Sequence, residues 1–593
     1  MKRCGKREKR KWRGEDKHDA VWHHASCLRR APPRSTRKLR SSPGATNPKL
    51  VSTTVSEQVS IPLPPVVAFG HSKQRSIVVF CNFVAASVVL LLYRVDPILE
   101  PRGPGSWHSR WEGKKRMAPV DTLKYDESGG RSRVERDVLP ALGQIFKAYD
   151  IRGIYPEELD ESAAYRIGVG YARSEIIPQG RLIVLGRDMR GSSDALSEAF
   201  AAGAGDNGLT IVNIGLCTTP MLYFAVNELQ AAGGAMITAS HNPGTYNGFK
   251  LVRERAIPIG DDFGLELVKQ QALKALPGQT ETPPLTIHQR DVTELYARFF
   301  SRRFSIELQK PVIIDTGNGM AGPILRRVLR DQRINYRELF FEPDGRFPNH
   351  DANPLKEENL RDLRHAMEEH PGSIGVAFDG DGDRVCFLDE AGEAVRGDLF
   401  VALLAPRILA RNGGGKILYD LRSSRVVPDQ VKRCGGEPIK TRVGHAFIKH
   451  IMREQGAVFG GELSYHFYFR DFFNCESGIY AMLQAIELLA ESSKTLAELV
   501  APLRTYAHSG EINFRVADVG AALAVVEKRF EDGDISRLDG LSVDYPKWWF
   551  NLRPSNTEPL LRLNVEANDE PLLRSKVQAL SRLLGGAEGE DGS

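Results

Sequence analysis

The sequence predicts an α/β protein: three similar α/β domains in series, followed by a smaller C-terminal α+β domain. Three observations carry this expectation. A short apolar strand that ends in an acidic turn and leads into a helix occurs three times, at intervals of about 105 to 130 residues. At about 150 residues per domain, the 593-residue chain has room for four domains. After about Tyr506 the alternation gives way to two strand-like stretches around one helix.

The first unit is Arg181-Leu-Ile-Val-Leu-Gly186, then Arg187 and Asp188, then a helix from Ser192 or Ser193. The second is Pro311–Ile314, then Asp315 and a glycine-rich turn. The third is Lys416–Tyr419, then Asp420 and Arg422, with Ser423 or Ser424 as helix cap. A serine after such a turn suits an N-cap, because its hydroxyl accepts from a free backbone N–H. In the last segment, Glu511–Val516 and Leu560–Glu566 read as strands flanking a helix near Ala521–Phe530. Pro277–Pro284, the turn near Asp389–Gly397 and Pro502–Ser509 read as linkers. The domains are therefore expected at residues 139–285, 286–393, 394–505 and 506–585.

Residues 1–116 differ from this body. They hold 24 Lys and Arg against 8 Asp and Glu, so with +5 on the whole chain the remainder carries −11. An acidic body argues against nucleic acid as a partner, because phosphate-backbone binding needs a concentrated basic face. The front end is rich in Arg, Lys, Ser and Pro, which favours disorder. It contains one apolar run, Ile77 to Tyr93, at the short limit for a membrane helix. Three readings stand side by side: a membrane anchor, a disordered basic arm, or an upstream stretch absent from a protein that starts at Met117. The seven scattered cysteines contain no CxxC pair and read as reduced thiols in a cytoplasmic protein.

Five motifs carry chemistry. Asp379-Gly-Asp381-Gly-Asp383-Arg384 follows the apolar stretch Ile374–Phe378. Carboxylates two apart project to one side and can converge on a hard cation, and oxygen ligands suit Mg²⁺. A calcium loop of the EF-hand type is the competing reading, since Glu390 falls at its twelfth position. However, Arg384 stands where that loop needs glycine. Thr238-Ala-Ser240-His241-Asn242-Pro243 places an acceptor hydroxyl beside an imidazole, with Lys250 ten residues on. No GxSxG elbow surrounds Ser240, but an acceptor hydroxyl and a Mg²⁺ site together suit phosphoryl transfer. In Arg553-Pro-Ser555-Asn556-Thr557-Glu558-Pro559, a guanidinium, two hydroxyls and an amide can donate to one phosphate. Gly460-Gly461-Glu462-Leu463-Ser464-Tyr465-His466 could hold sugar hydroxyls. Thr441-Arg442-Val443-Gly444-His445 places a possible acid–base imidazole at a strand end, with Lys449 one turn on. Gly317-Asn-Gly319-Met-Ala-Gly322 satisfies GxGxxG, but only Glu338 and Glu342 lie where a dinucleotide fold needs an acidic residue.

Taken together these motifs resemble the α-D-phosphohexomutases, in particular the bacterial phosphomannomutase/phosphoglucomutase group. The match runs from Phe146-Lys-Ala-Tyr149-Asp150-Ile-Arg152-Gly153 to about Glu566. The resemblance implies four domains around a central cleft, each contributing one loop. It implies that Ser240 is a phosphoserine which, with Asp379, Asp381 and Asp383, binds Mg²⁺. Arg384 would steady the phosphoserine or the incoming hydroxyl, and Glu462 and Ser464, with His466 beside them, would hold the 3- and 4-hydroxyls of the sugar. Arg553, Ser555, Asn556 and Thr557 would clamp the phosphate that does not react. Tyr149, Arg152, His241, Lys250, Arg422 and His445 would line the cleft, with Lys250, Arg152 and His445 as acid–base candidates. The implied partners are small hexose phosphates, with glucose 1,6-bisphosphate or its mannose equivalent as activator. No membrane or nucleic acid is expected to take part, and the sequence is silent on assembly. Asn556 matches the mannose/glucose group, whereas glucosamine enzymes usually carry Gly there. Tyr465 departs from the usual Gly, and its ring is expected to stiffen the loop or narrow the sugar pocket. A glucosamine- or pentose-phosphate mutase and an inactive sugar-phosphate sensor are the alternative functions.

Overall fold

The computed structural model describes residues 142–178, 181–275, 287–554 and 560–585. The apolar run 77–93, Met117 and the linker 277–284 lie outside them. Four sheets follow one another along the chain. The first runs, from one edge, Ile151–Ile154, Tyr246–Arg253, Gly233–Ile237, Leu182–Arg187, Thr210–Leu216 and Ile287–Gln289, with Ile257–Pro258 paired to Tyr246–Arg253. Its last strand pairs in parallel with Thr210–Leu216, so this sheet reaches past the expected boundary at 285.

The second sheet runs Ala394–Val395, Val385–Leu388, Ile374–Phe378, Glu307–Asp315, Arg333–Leu339. The third runs Glu437–Thr441, Lys416–Asp420, Phe459–Gly461, Phe467–Phe469, Cys475–Glu476. Each of these three sheets has a parallel core and an antiparallel edge. The fourth is antiparallel throughout: Ala507–Arg515, Leu560–Ala567, Trp548–Pro554, Leu541–Tyr545, Asp534–Ser536. Three of its five strands were not expected from the sequence: Asp534–Ser536 has three residues, and Trp548–Pro554 opens on three consecutive aromatics that break alternation, while Leu541–Tyr545 alternates but is only five residues long.

The three-fold echo has a common physical basis. The central parallel strands end in Asp188, Asp315 and Asp420, and each carboxylate accepts from the backbone N–H two residues on, at 3.1, 2.8 and 2.7 Å. This turn ends the strand and re-aims the chain into the next element. The expected serine caps are partly corrected by it. Ser192 caps no backbone N–H of the helix, and its hydroxyl instead accepts from Asn247 Nδ2 at 2.8 Å, while the Ser193 hydroxyl donates to Asp188 Oδ1 at 2.5 Å. In the third unit Ser424, not Ser423, accepts from the N–H of Val426, at 3.1 Å.

One apolar core runs through the first three domains, from Val184 to Leu503; the first domain has a second one around Ile167, Phe200 and Phe249, and the fourth has its own around Phe514, Phe550 and Leu563. The GxGxxG turn does not make a dinucleotide site. Glu338 and Glu342 are both paired to Arg326 on the adjacent helix Ala321–Leu329. Among the described residues, no helix is long and apolar enough to cross a membrane.

Candidate active site

The Ser240 loop leaves Gly233–Ile237 and returns as Tyr246–Arg253, the strand that carries Lys250. Ser240 is buried and adopts φ 53°, a left-handed conformation that costs an ordinary residue about 1 kcal/mol. Arg190, which the sequence reading did not single out, holds the loop in it. Its guanidinium donates to the carbonyls of Ser240 (2.9 Å), Asn242 (2.7 Å), Pro243 (2.6 Å) and Tyr246 (3.0 Å), while Nε pairs with Asp188 at 3.0 Å. Arg190 and Asp188 are both buried. The available signal was the parallel between Asp188-x-Arg190 and Asp420-x-Arg422.

The Asp379–Arg384 loop meets Ser240 directly. Ser240 Oγ donates to Asp379 Oδ2 at 2.7 Å, and His241 Nδ1 lies 3.3 Å from the same Oγ. Gly380 permits this approach, since a Cβ there would stand 2.5 Å from the Ser240 carbonyl. Oxygen atoms of Asp379, Asp381 and Asp383 lie within 4.8 Å of one another, and all three residues are fully buried. Asp381 Oδ2 accepts from Thr219 Oγ1 at 2.5 Å and from Lys250 Nζ at 2.6 Å, and Lys250 Nζ also reaches Asp383 Oδ2 at 2.5 Å. Of the other oxygens, Asp381 Oδ1 is buried without a hydrogen-bond partner, and Asp383 Oδ1 is buried with only His466 Nε2 near it, at 3.4 Å. Uncompensated buried carboxylate oxygens are costly, and a hard divalent cation would satisfy them. The residues therefore fit Mg²⁺. They do not fit an EF-hand: Glu390 binds Lys310 (2.7 Å) and the backbone N–H groups of Leu496 (2.9 Å) and Ala497 (3.1 Å).

The charges in this cluster set opposite protonation tendencies. Burial and the neighbouring Asp383 and Asp381 charges raise Asp379 well above the usual carboxylate range. Burial pushes Asp383 the same way, but Lys250, His466 and Arg384 outweigh it and hold Asp383 well below that range. Burial and the Arg384 and Arg152 cations keep His241 neutral.

The sugar-loop candidates sit beside the metal loop. Glu462 Oε1 accepts from the N–H of Gly444 at 3.0 Å; Oε2 accepts from Tyr468 Oη at 2.6 Å and lies 3.1 Å from His466 Nδ1. Ser464 Oγ is 3.3 Å from His466 Nδ1. Burial and Arg384 oppose a charge on His466, yet Asp383 and Glu462 prevail and raise it to about 9. An imidazolium cannot accept from Arg384 Nε, so their 3.2 Å separation is a close approach of two cations, offset by Asp383, whose Oδ1 lies 3.4 Å from His466 Nε2. Tyr465 does not narrow a sugar pocket. Its ring is buried in the apolar core and hydrogen-bonded to Cys386, with φ 69°.

The remaining cleft candidates fall around these loops. Arg152 reaches Asn242 Oδ1 and Asp150 Oδ2, each at 2.5 Å. Tyr149 packs edge-on to His445 at 5.8 Å, and Gly444 (φ 126°) leaves room for it, because a Cβ there would lie 2.7 Å from the Tyr149 ring. Burial and the Lys449 and Lys250 cations hold His445 neutral.

In the fourth domain, Arg553 Nη2 binds Glu511 Oε2 at 3.2 Å; Arg562 Nη1 binds Glu511 Oε1 at 3.0 Å, and Arg422 Nη1 lies 3.6 Å from Glu511 Oε2. Three guanidinium groups thus share one carboxylate, while Arg422 also pairs with Asp420 at 2.9 Å. Burial and the neighbouring Arg422 charge make Arg553 less basic than usual. Glu511 and Arg562 were not among the sequence candidates; their signal was alternation on two paired strands, visible only once the register is known. Ser555, Asn556 and Thr557 lie outside the described residues.

The phosphoglucomutase/phosphomannomutase alpha/beta/alpha domains I, II and III match residues 143–275, 293–392 and 396–506, and the C-terminal domain of that family matches 511–582. A "Phosphohexose mutases" protein of Xanthomonas campestris is 43% identical over 447 residues, 74% of this chain and 99% of that protein. A phosphomannomutase of Escherichia coli K12 is 41% identical over 451 residues, 74% of this chain and 98% of its own length. A crystal structure of a phosphoglucomutase/phosphomannomutase family protein from Burkholderia thailandensis superposes with TM-score 0.69 at 31% identity, covering 76% of this chain and 99% of that one.

Proposed function

The chain belongs to the phosphoglucomutase/phosphomannomutase family and is a mutase enzyme, and on that premise we propose that it interconverts hexose 1-phosphate and hexose 6-phosphate, with mannose or glucose as the sugar, through a phosphorylated Ser240. The observation that carries this reading is the 2.7 Å hydrogen bond from Ser240 Oγ to Asp379, at the mouth of a buried three-carboxylate cluster. A hydroxyl in that position is an acceptor for a phosphoryl group beside a cation site.

In the forward step the Ser240 Oγ–phosphorus bond breaks as a bond from a sugar hydroxyl oxygen to phosphorus forms. The hydroxyl proton passes to a base and Oγ regains a proton. The product is a hexose 1,6-bisphosphate, which turns around and returns its other phosphoryl group to Ser240. Asp379, Asp381 and Asp383 with Ser240 would hold Mg²⁺, which when bound supplies positive charge against the transferring phosphoryl group. Lys250, Arg384 and His466 add fixed positive charge around the same point. Glu462, held by Gly444, Tyr468 and His466, and Ser464 face the sugar hydroxyls. Arg422, Arg553 and the 555–557 segment bind the phosphate at the far end. Lys250, Arg152 and His445 remain the acid–base candidates, and His445, kept neutral, is ready to accept a proton. The four described cysteines are unpaired thiols, which agrees with a cytoplasmic setting.

The test is interconversion of mannose 1- and 6-phosphates, and of the glucose pair, by the full chain with Mg²⁺ and a trace of glucose 1,6-bisphosphate. Ser240→Ala is expected to abolish turnover. Turnover that survives this substitution, or no turnover on either pair, would sink the reading.

A further inference from the structure

Three buried polar side chains and a partly buried histidine meet where the first and third domains join, and phosphoryl transfer gives the three buried ones no task. Tyr223 lies on helix Thr219–Glu228, His445 and Lys449 on helix His445–Gln455, and Glu476 ends the strand Cys475–Glu476. Tyr223, Lys449 and Glu476 have no exposure at all. Lys449 Nζ donates to Glu476 Oε1 at 2.8 Å and to Tyr223 Oη at 3.0 Å, and Tyr223 Oη donates to Glu476 Oε1 at 3.2 Å. The ammonium also stands 4.4 Å from the centre of the Tyr223 ring.

Two atoms of this cluster are buried without a hydrogen-bond partner: His445 Nδ1 and Glu476 Oε2. His445 Nδ1 is 3.7 Å from Glu476 Oε1, less than 1 Å beyond a normal hydrogen bond. Each unpaired buried group carries a desolvation penalty, and a proton shared between Nδ1 and the Glu476 carboxylate would remove that of the imidazole nitrogen. The groups around the imidazole are Glu476, the cations Lys449, Lys250 and His466, the carboxylate Asp383, and the ring of Tyr149.

We propose that Glu476 is the positioning residue for His445: its carboxylate, held by Lys449 and Tyr223, accepts the Nδ1–H of His445 and so leaves Nε2 as the nitrogen with the free lone pair. The imidazole packs against Tyr149 and His466, both cleft residues, so the fixed tautomer presents a proton acceptor beside the sugar. This is the arrangement of an acid–base histidine oriented by a third group. Lys449 balances the charge of Glu476, so the histidine is oriented without being made strongly basic. Tyr223 ties the network to helix Thr219–Glu228, whose first hydroxyl, on Thr219, binds Asp381. The imidazole and the metal loop are therefore referenced to one rigid element.

This inference rests on the reading of His445 as an acid–base group, and the experiment separates the two. Glu476→Gln, His445→Asn and the double variant are assayed in the full chain as hexose-phosphate mutases between pH 6 and 9. An amide can donate to Nδ1 and favour the wrong tautomer. Glu476→Gln is expected to lower kcat by at least about 10-fold with KM nearly unchanged. Its acidic limb should move to lower pH, and Glu476→Asp should restore part of the rate. The double variant should be no slower than His445→Asn alone. A slow His445→Asn beside an unaffected Glu476→Gln, or multiplying effects in the double variant, would overturn the positioning role. A wild-type kcat in His445→Asn would overturn it together with the acid–base role, leaving the Ser240→Ala result to judge the mutase reading itself. Should Glu476→Gln fail to fold, the charge-balanced pair Lys449→Met with Glu476→Gln carries the same comparison.

Discussion

The ammonium of Lys250 lies 2.5 Å from Asp383 Oδ2, and from there it also reaches Asp381 at 2.6 Å. One cation thus compensates two of the three buried carboxylates, and the strong interaction keeps Lys250 protonated despite its burial. Lys250→Met removes that compensation. The metal-free variant should melt at a lower temperature, since breaking a buried pair costs about 3–5 kcal/mol. Mg²⁺ should then raise its melting point by more than it raises that of the wild type. Equal Mg²⁺ shifts in thermal denaturation would contradict the arrangement.

Arg190 makes a second prediction. Its planar fork spans four loop carbonyls, which a single ammonium cannot do. Arg190→Lys should therefore resemble Arg190→Ala: native far-UV circular dichroism, with turnover reduced by about 100-fold because the nucleophile is misplaced. A near-wild-type rate for Arg190→Lys would show that the charge alone suffices.

What the sequence disclosed follows from how local the signal is. Asp379-Gly-Asp381-Gly-Asp383 is legible because alternation and glycine spacing put three carboxylates together within five residues. Strands such as Ile374–Phe378, apolar throughout, are legible for the same local reason. For Arg190 only the pairing with Asp188 left a local mark, whereas the four carbonyls that it holds lie about 50 residues away and are backbone atoms, which leave none on side-chain pattern. Sequence does not decide whether Tyr465 stiffens its loop or narrows a pocket, because the direction of its side chain depends on a positive φ that sequence does not announce in a tyrosine. Glu511 and Arg562 stand diagonally, opposite Asn564 and Asn513, a placement that only the register of strands Ala507–Arg515 and Leu560–Ala567 sets.

Glu511 gives the third prediction. It occupies Arg553 and Arg562 and approaches Arg422, so an arriving phosphate must compete with it. Glu511→Gln keeps the shape and removes the competing charge. KM for hexose phosphate should fall several-fold and stiffen in its dependence on salt, while the melting temperature falls because three guanidinium groups lose their shared anion. Steady-state kinetics at two ionic strengths would check this, and a raised KM would mean that Glu511 orients the guanidiniums more than it blocks them.

The last prediction concerns pH. His508 bridges the third and fourth domains: its Nε2 lies 3.2 Å from the Arg422 carbonyl, and its Nδ1 accepts from the N–H of Gly510 at 3.0 Å. Burial, with Arg396 nearby, depresses it to about 4. An unfolded histidine takes up its proton near 6.5, so between pH 6.5 and 4 the unfolded chain holds more protons than the folded one. Stability from the neutral imidazole is thus full above pH 6.5 and is lost as pH falls toward 4, by about 3 kcal/mol in all. His508→Gln cannot take up that proton. Its melting temperature should lie below that of the wild type at pH 7.5, and the gap should narrow by pH 4.5. A gap that stays constant across this range would show that His508 does not carry the acid sensitivity.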